Sequence, residues 1–100
     1  MTIIPLLHAS CVEKNGQGIL LRGHAGSGKS SFALSLMNHG FRLVADDQVH
    51  LWESSGTLMA QAAESLKGML EVRGMGILTF EATLQCQIHY VIDLLPGFKA

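Results

Sequence analysis

The eight residues Gly23-His24-Ala25-Gly26-Ser27-Gly28-Lys29-Ser30 constrain this chain more than any other feature. They fit the pattern G-x-x-x-x-G-K-S/T, which carries physical meaning in one context, directly after a buried strand and directly before a helix. Both flanks are present. Ile19-Leu20-Leu21 is a short apolar run bounded by Gly16, Gly18 and Gly23, and it reads as a buried strand ending in a glycine-rich turn. Ser30 to His39 then places Phe32, Ala33, Leu36 and Met37 on one helical face, with Gly40 where a left-handed C-terminal cap is expected. Glycines let consecutive backbone N–H groups turn inward on an anion, and the helix N-terminus adds a favourable dipole. The loop is therefore expected to be a P-loop that cradles the phosphates of ATP through Gly23, His24, Ala25, Gly26, Ser27, Gly28, Lys29 and Ser30. Lys29 brings a mobile positive charge to the outer phosphates, and the Ser30 hydroxyl is placed to ligate Mg²⁺.

A P-loop does not say whether a phosphoryl group moves, or to what. The next segment bears on that question. Phe41 to Ala45 reads as a second apolar strand running into Asp46-Asp47, which completes a β-α-β unit. In a parallel arrangement the carboxyl end of that strand delivers both acids beside the phosphates. One carboxylate there can hold the metal shell while the other takes a proton from an attacking hydroxyl. Adjacent residues on an extended chain point to opposite sides, so the two acids cannot share one role in one orientation.

Further along, Val49 to Trp52 and Thr57 to Ala60 flank Glu53-Ser54-Ser55-Gly56 and predict a β-hairpin. Gln61 to Leu70 reads as a short helix. Gly74 and Gly76 break the pattern of Leu70 to Thr79 into a loop or a sharply bent strand, and Gln85 to Leu95 is a final strand closed by Pro96-Gly97. No repeat, linker or low-complexity tract interrupts the sequence, so residues 1–100 are expected to form one α/β domain.

The bulk numbers exclude several classes. With 48% apolar and 15% charged residues among 100, the chain can build one modest core, and its apolar excess fits a surface partly covered by a partner or a domain cut from something larger. A formal net charge of −1 gives no basic footprint for nucleic acid. Met1 to Leu7 lacks the basic region of a signal peptide, and no stretch is long enough to span a bilayer, which makes the cytoplasm the expected location. Cys11 and Cys86 have no metal-ligand spacing and sit in apolar segments, where a free cysteine behaves as a small hydrophobe. Met37, Met59, Met69 and Met75 read as core filler.

Four blocks together resemble the carboxy-terminal catalytic domain of the HPr kinase/phosphorylase family. They are Leu7-His8-Ala9-Ser10, the P-loop, Arg42 to Val49 with its Val-Ala-Asp-Asp core, and Leu70-Glu71-Val72-Arg73-Gly74-Met75-Gly76-Ile77. They occur in the family's order and at similar spacing across nearly the whole chain. The resemblance implies a nucleotide-binding fold of the HPr kinase and PEP carboxykinase-like type, with a mixed sheet and a P-loop helix. It also implies ATP- and Mg²⁺-dependent phosphorylation of a seryl hydroxyl on HPr, the phosphocarrier of the sugar phosphotransferase system, in regulation of carbohydrate metabolism. By position, Lys29 would contact phosphates, Ser30 and Glu71 would ligate Mg²⁺, Asp47 would be the base and Asp46 a metal or water ligand. His8 matches the family's active-site histidine, and Leu70 to Thr79, with Arg73, matches its signature segment. Read without the family, His8 is one imidazole among five histidines and Glu71 and Arg73 an ordinary exposed pair.

The family's longer members carry an amino-terminal domain, so the chain is similar to the short proteobacterial form. It stops before the family's later segment, which bears a further catalytic arginine and the helices that engage HPr. Hexameric self-association is implied by the family, and an apolar composition agrees with it. Two other readings stand beside this one. A small-molecule P-loop kinase would need an arginine-bearing lid, and the chain has only Arg22, Arg42 and Arg73. A non-catalytic ATP-binding module would not need the Asp46-Asp47 pair.

Overall fold

The computed structural model describes residues 2–24, 26–63, 66–72 and 74–94. Ala25, Arg73 and the expected stop at Pro96-Gly97 lie outside them. Eight strands and one helix follow in the order β1 (Thr2–Lys14), β2 (Gln17–Arg22), α1 (Lys29–Met37), β3 (Arg42–Ala45), β4 (Gln48–Ser54), β5 (Thr57–Ala62), β6 (Met69–Val72), β7 (Gly76–Thr79) and β8 (Gln85–Asp93). Six strands, in the spatial order β2-β8-β5-β4-β1-β3, form one sheet, and β6-β7 is a separate hairpin. The sheet is mixed, since β2 and β8 are parallel while its other pairings are antiparallel. It also closes on itself, because β2 pairs with β1 as well as with β8.

The 13-residue β1 organises this ring. Its second half pairs with β2 through Ala9↔Arg22 to Lys14↔Gln17, joined by a tight turn in which Asn15 and Gly16 both have positive φ (54° and 79°). That is the geometry of a two-residue hairpin turn whose twist matches the strands. Along its opposite edge β1 pairs first with β4 and then with β3, so Asp46-Asp47 falls at the corner between them. A register irregularity between Cys11 and Val12 opens that corner.

Strand alternation sorts the core into two layers. Ala9, Cys11, Leu20, Val44, Val49, Leu51, Ala60 and Cys86 fill the interior of the ring. Val12, Leu21, Leu43, Leu70 and Val72 meet Ala33 of α1 on the other side. Phe32, Leu36 and Met37 pack against this second layer as the helical spacing predicts, with Leu34 beside them. The helix ends where expected: Gly40 adopts φ 94°, its N–H bonds to Met37 O at 3.2 Å, and Phe41 N–H bonds to Leu36 O at 3.2 Å. This paired closure is a Schellman cap.

Strands β2 and β3 run in the same direction, as a β-α-β unit requires, but β1 lies between them. The expected β4–β5 hairpin is present and longer than predicted, turning through Ser55 and Gly56 at φ 54° and 77°. Two expectations fail. Ile19-Leu20-Leu21 is not the first strand, because β1 precedes it. Among the described residues, Gln61 to Leu70 is not a helix: Gln61 and Ala62 finish β5, Leu66 N–H bonds to Ala63 O, and Met69 and Leu70 begin β6. Gly68, at φ 77°, breaks any helical path, and the alternation of buried Leu70 and Val72 with exposed Glu71 fits a strand. The expected break beyond Leu70 is present: the chain reverses between β6 and β7, which pair as an antiparallel hairpin with Val72 opposite Gly76.

Candidate functional site

The carboxyl end of β3, the loop between β2 and α1, the middle of β1 and the β6–β7 hairpin converge on a cleft of about 770 Å³. His8, Gly26, Gly28, Lys29, Ser30, Asp46, Asp47 and Glu71 all line it. Four separate stretches of sequence therefore contribute the residues singled out above. Ser31, Leu66 and Met69 supply further walls that the sequence did not single out as part of a site, beside Ile77 of the resembling block.

The hub is Asp46. Its side chain is buried, at 5% exposure, which is costly for a carboxyl group unless its oxygens are hydrogen-bonded. They are bonded from three sides. Ser10 Oγ donates to Oδ1 at 2.6 Å. The Ser30 hydroxyl lies 2.9 Å from Oδ1 and 3.1 Å from Oδ2. The backbone N–H of Glu71 reaches Oδ2 at 3.3 Å. One side chain thus ties β1, the start of α1 and the β6–β7 hairpin to the end of β3. A serine hydroxyl that spends its proton on Asp46 keeps its lone pairs free for a cation.

Asp47 lines the same cleft but is exposed where Asp46 is buried. Its φ of 71° is left-handed, a conformation that aspartate tolerates better than bulky residues do. Its backbone carbonyl accepts from Ala9 N–H at 3.2 Å, and its exposed carboxylate meets His8 Nε2 at 2.7 Å. His8 and Ser10, two apart on β1, share one face of the strand. That face holds both acids, one through each residue.

Lys29 is 7% exposed, and its ammonium donates to the carbonyls of Gly23 at 2.8 Å and His24 at 3.1 Å. The lysine is folded onto its own loop, with its charge held at the cleft wall. Gly26 and Gly28 at φ 85° and 96° give that loop its turn, and Phe32 N–H to Gly28 O at 2.9 Å starts the helix. Gly23 is tightly placed: a Cβ there would lie 2.5 Å from Ser27 Oγ. The Ser27 hydroxyl is buried and has no hydrogen-bond partner among the described residues. At the loop's entrance Arg22 and Asp93 form a two-pronged ion pair (Nε–Oδ1 2.6 Å, Nη2–Oδ2 2.9 Å) between β2 and β8. It raises the guanidinium pKa and lowers that of the carboxyl, in each case mainly through the hydrogen bond.

The model of the family described as HPr Serine kinase C-terminal domain matches residues 2–89. The chain belongs to that family. HPr kinase/phosphorylase of Clostridium botulinum strain Eklund 17B is 49% identical over 72 residues, which cover 72% of this chain and 24% of that protein. The Clostridium perfringens strain SM101 protein of the same name is 47% identical over 76 residues, 76% of this chain and 25% of its relative. The solved structure of the Hpr(Ser) kinase/phosphatase from Coxiella burnetii superposes with a TM-score of 0.82 at 26% identity, covering 90% of this chain and 65% of that one. The chain thus spans about a quarter of the length of these curated relatives.

Within the family's matched span fall all the residues brought together at the cleft. Sequence reasoning found the charged residues among them and missed, besides the walls named above, Ser10: part of the resembling block but given no role, it makes the shortest contact to Asp46. Its signal was the two-residue offset from His8 on a strand that was not predicted. Arg73 and Ala25 lie outside the described residues. No described helix is long and apolar enough to cross a membrane.

Proposed function

We propose that this chain is the nucleotide-binding and phosphoryl-transfer core of a protein serine kinase acting on HPr. The observation that carries the reading is the division of labour between neighbouring acids: Asp46 is buried and bonded to Ser30 of the glycine loop, while Asp47 is exposed in the cleft and held by His8. A module that only binds nucleotide has no use for a second, exposed carboxylate oriented by an imidazole. A phosphotransferase does, because an attacking hydroxyl must lose a proton.

In this reading the loop from Gly23 to Ser30 is a P-loop whose N–H groups and helix N-terminus face the phosphates of ATP. The Lys29 ammonium exchanges its two loop carbonyls for phosphate oxygens, a charge-assisted replacement of neutral acceptors. The oxygen-rich donor set of Ser30, Glu71 and Asp46 suits a hard cation such as Mg²⁺, which would neutralise charge developing on the transferred group. Ser30 and Glu71 would hold it, with Asp46 fixing the Ser30 hydroxyl. Asp47 accepts the proton of the seryl hydroxyl, and His8, donating through Nε2, keeps the carboxylate aimed into the cleft. Arg73 is assigned to the same site by the family resemblance. The cytoplasm, a homo-oligomeric assembly and a role in regulating carbohydrate metabolism through the phosphotransferase system complete the proposal.

The decisive experiment measures transfer of labelled phosphate from ATP with Mg²⁺ to purified HPr, beside a battery of small metabolite acceptors. Labelled HPr is the expected product. ADP release that depends on a metabolite and leaves HPr unlabelled would replace this reading with a small-molecule kinase. ATP binding without transfer to any acceptor would replace it with a binding module.

A further inference from the structure

The two cysteines meet. Cys11 on β1 and Cys86 on β8 are 75 positions apart in sequence and belong to strands separated by β2, yet their sulfurs lie 3.6 Å apart inside the ring. Both thiols are free and buried, at 0% and 5% exposure. The neighbourhood is built from small residues: Ala9, Ala45 and Ala60 share the same layer. Gly18 leaves room for the second sulfur, since a Cβ there would stand 2.6 Å from Cys86 Sγ. Two sulfurs in contact across small neighbours need approach each other by only about 1.5 Å to reach bonding distance, near 2.05 Å.

We propose that Cys11 and Cys86 form a redox modification site, in which a hydroperoxide oxidises the pair to an intramolecular disulfide joining β1 to β8. The two thiols are not equivalent. Hydrogen bonding between them favours the thiolate on Cys86 and holds the Cys11 thiol protonated, a difference that burial of Cys11 reinforces. Cys86 is also the slightly more exposed of the two, so it is the sulfur that meets the oxidant. Its thiolate attacks one peroxide oxygen and the O–O bond breaks, leaving a sulfenic acid on Cys86 and releasing water once the departing oxygen is protonated. Cys11 sulfur then attacks Cys86 sulfur, the S–O bond breaks, and the thiol proton leaves with the hydroxyl as a second water. In total, two thiols and one hydrogen peroxide give one disulfide and two waters. A thiol reductant reverses the bond by exchange.

The consequence is a covalent closure of the ring across its interior. A cross-link between residues this far apart in sequence removes conformations mainly from the unfolded chain, so the oxidised protein should melt at a higher temperature than the reduced one. The test treats the folded 100-residue chain with a small excess of hydrogen peroxide, then alkylates it under denaturing conditions and measures its intact mass. The expected result is a mass lower by the two thiol hydrogens, no alkylation, one peptide pair linked through Cys11 and Cys86, a raised melting midpoint, and full reversal by dithiothreitol. A Cys86→Ala chain treated in parallel should show no such loss and one alkylated thiol. The proposal is overturned if both thiols are still alkylated after oxidation, if Cys86 proceeds to sulfinic acid with Cys11 free, or if the linked form no longer unfolds cooperatively.

Discussion

Asp46 and Asp47 are chemically identical and one peptide bond apart, and their surroundings give them different work. Asp46 is enclosed and saturated by Ser10, Ser30 and Glu71, while Asp47 faces the cleft with His8. Replacing Asp47 by Asn preserves shape and removes the proton acceptor. Transfer to HPr should fall by at least about 100-fold, the lower end of what a positioned base contributes, with ATP affinity nearly unchanged. Parallel kinetic and ATP-binding measurements check this, and transfer that survives would dismiss Asp47 as the base. Lys29→Ala should do the reverse and abolish ATP binding itself, which calorimetry reads directly. Ser10→Ala leaves a buried carboxylate oxygen short of its closest donor. The expected cost is about 1–3 kcal/mol of folding stability, to be read from chemical denaturation. Of these side chains, the loop residues and the acids were legible because each follows an apolar run of clear period. Ser10 was not, because a serine in an unrecognised strand carries no signature of its own.

Elements were legible in proportion to how local their determinants are. The strand before the loop, the helix after it and the Gly40 cap depend on neighbours within one or two turns, and all three stand close to where the sequence places them. β1 was missed because its second half, Leu7 to Lys14, offers alanine, serine and cysteine where β-branched residues would announce a strand. Its pairings with β3 and β4 are not visible along the chain, and the one local signal, the Asn15-Gly16 turn that joins it to β2, was passed over. The segment from Gln61 erred in the opposite sense. Gln, Ala, Glu, Leu and Lys are good helix formers, and pairing of Gln61 with Gln85 overrode that preference. Gly18 tests the same point about tertiary control. Nothing in its local sequence forbids alanine, yet a Cβ would come 2.5 Å from Gln87 O and 2.6 Å from Cys86 Sγ. Because the carbonyl belongs to the paired β8 backbone, it cannot move aside cheaply. Gly18→Ala is expected to destabilise the fold by about 1–3 kcal/mol, an overpacking cost that differential melting of the two proteins measures. An unchanged melting temperature would mean that β2 and β8 separate more readily than their register implies.

At the scale of the whole molecule, the ring leaves one strand half covered. β8 pairs with β5 only through Gln85, Cys86 and Gln87, and beyond that point it keeps β2 on one edge alone among the described residues. Tyr90 and Val91 are consecutive on this extension and are 56% and 49% exposed, so apolar surface emerges on both faces of the strand at once. Leu84, just before it, is 62% exposed. A strand with an open edge and apolar faces invites another chain, and proteins that keep such a strand usually cover it. A second copy is the cover that agrees with the homo-oligomer proposed above. Light scattering on the eluting protein should therefore give a mass greater than one chain. Tyr90→Lys with Val91→Lys should bring it down to one chain, since two buried charges at such a contact would be unpaired. The two sites lie away from the cleft residues, so ATP affinity of the double variant should stay within about twofold of the parent if the copies contribute nothing to phosphate binding. A single-chain mass for the parent would assign the edge to a cover other than a second copy. An unchanged larger mass in the variant would place the contact between copies elsewhere, with the exposed Met75 and Ile77 of the β6–β7 hairpin the next surface to substitute.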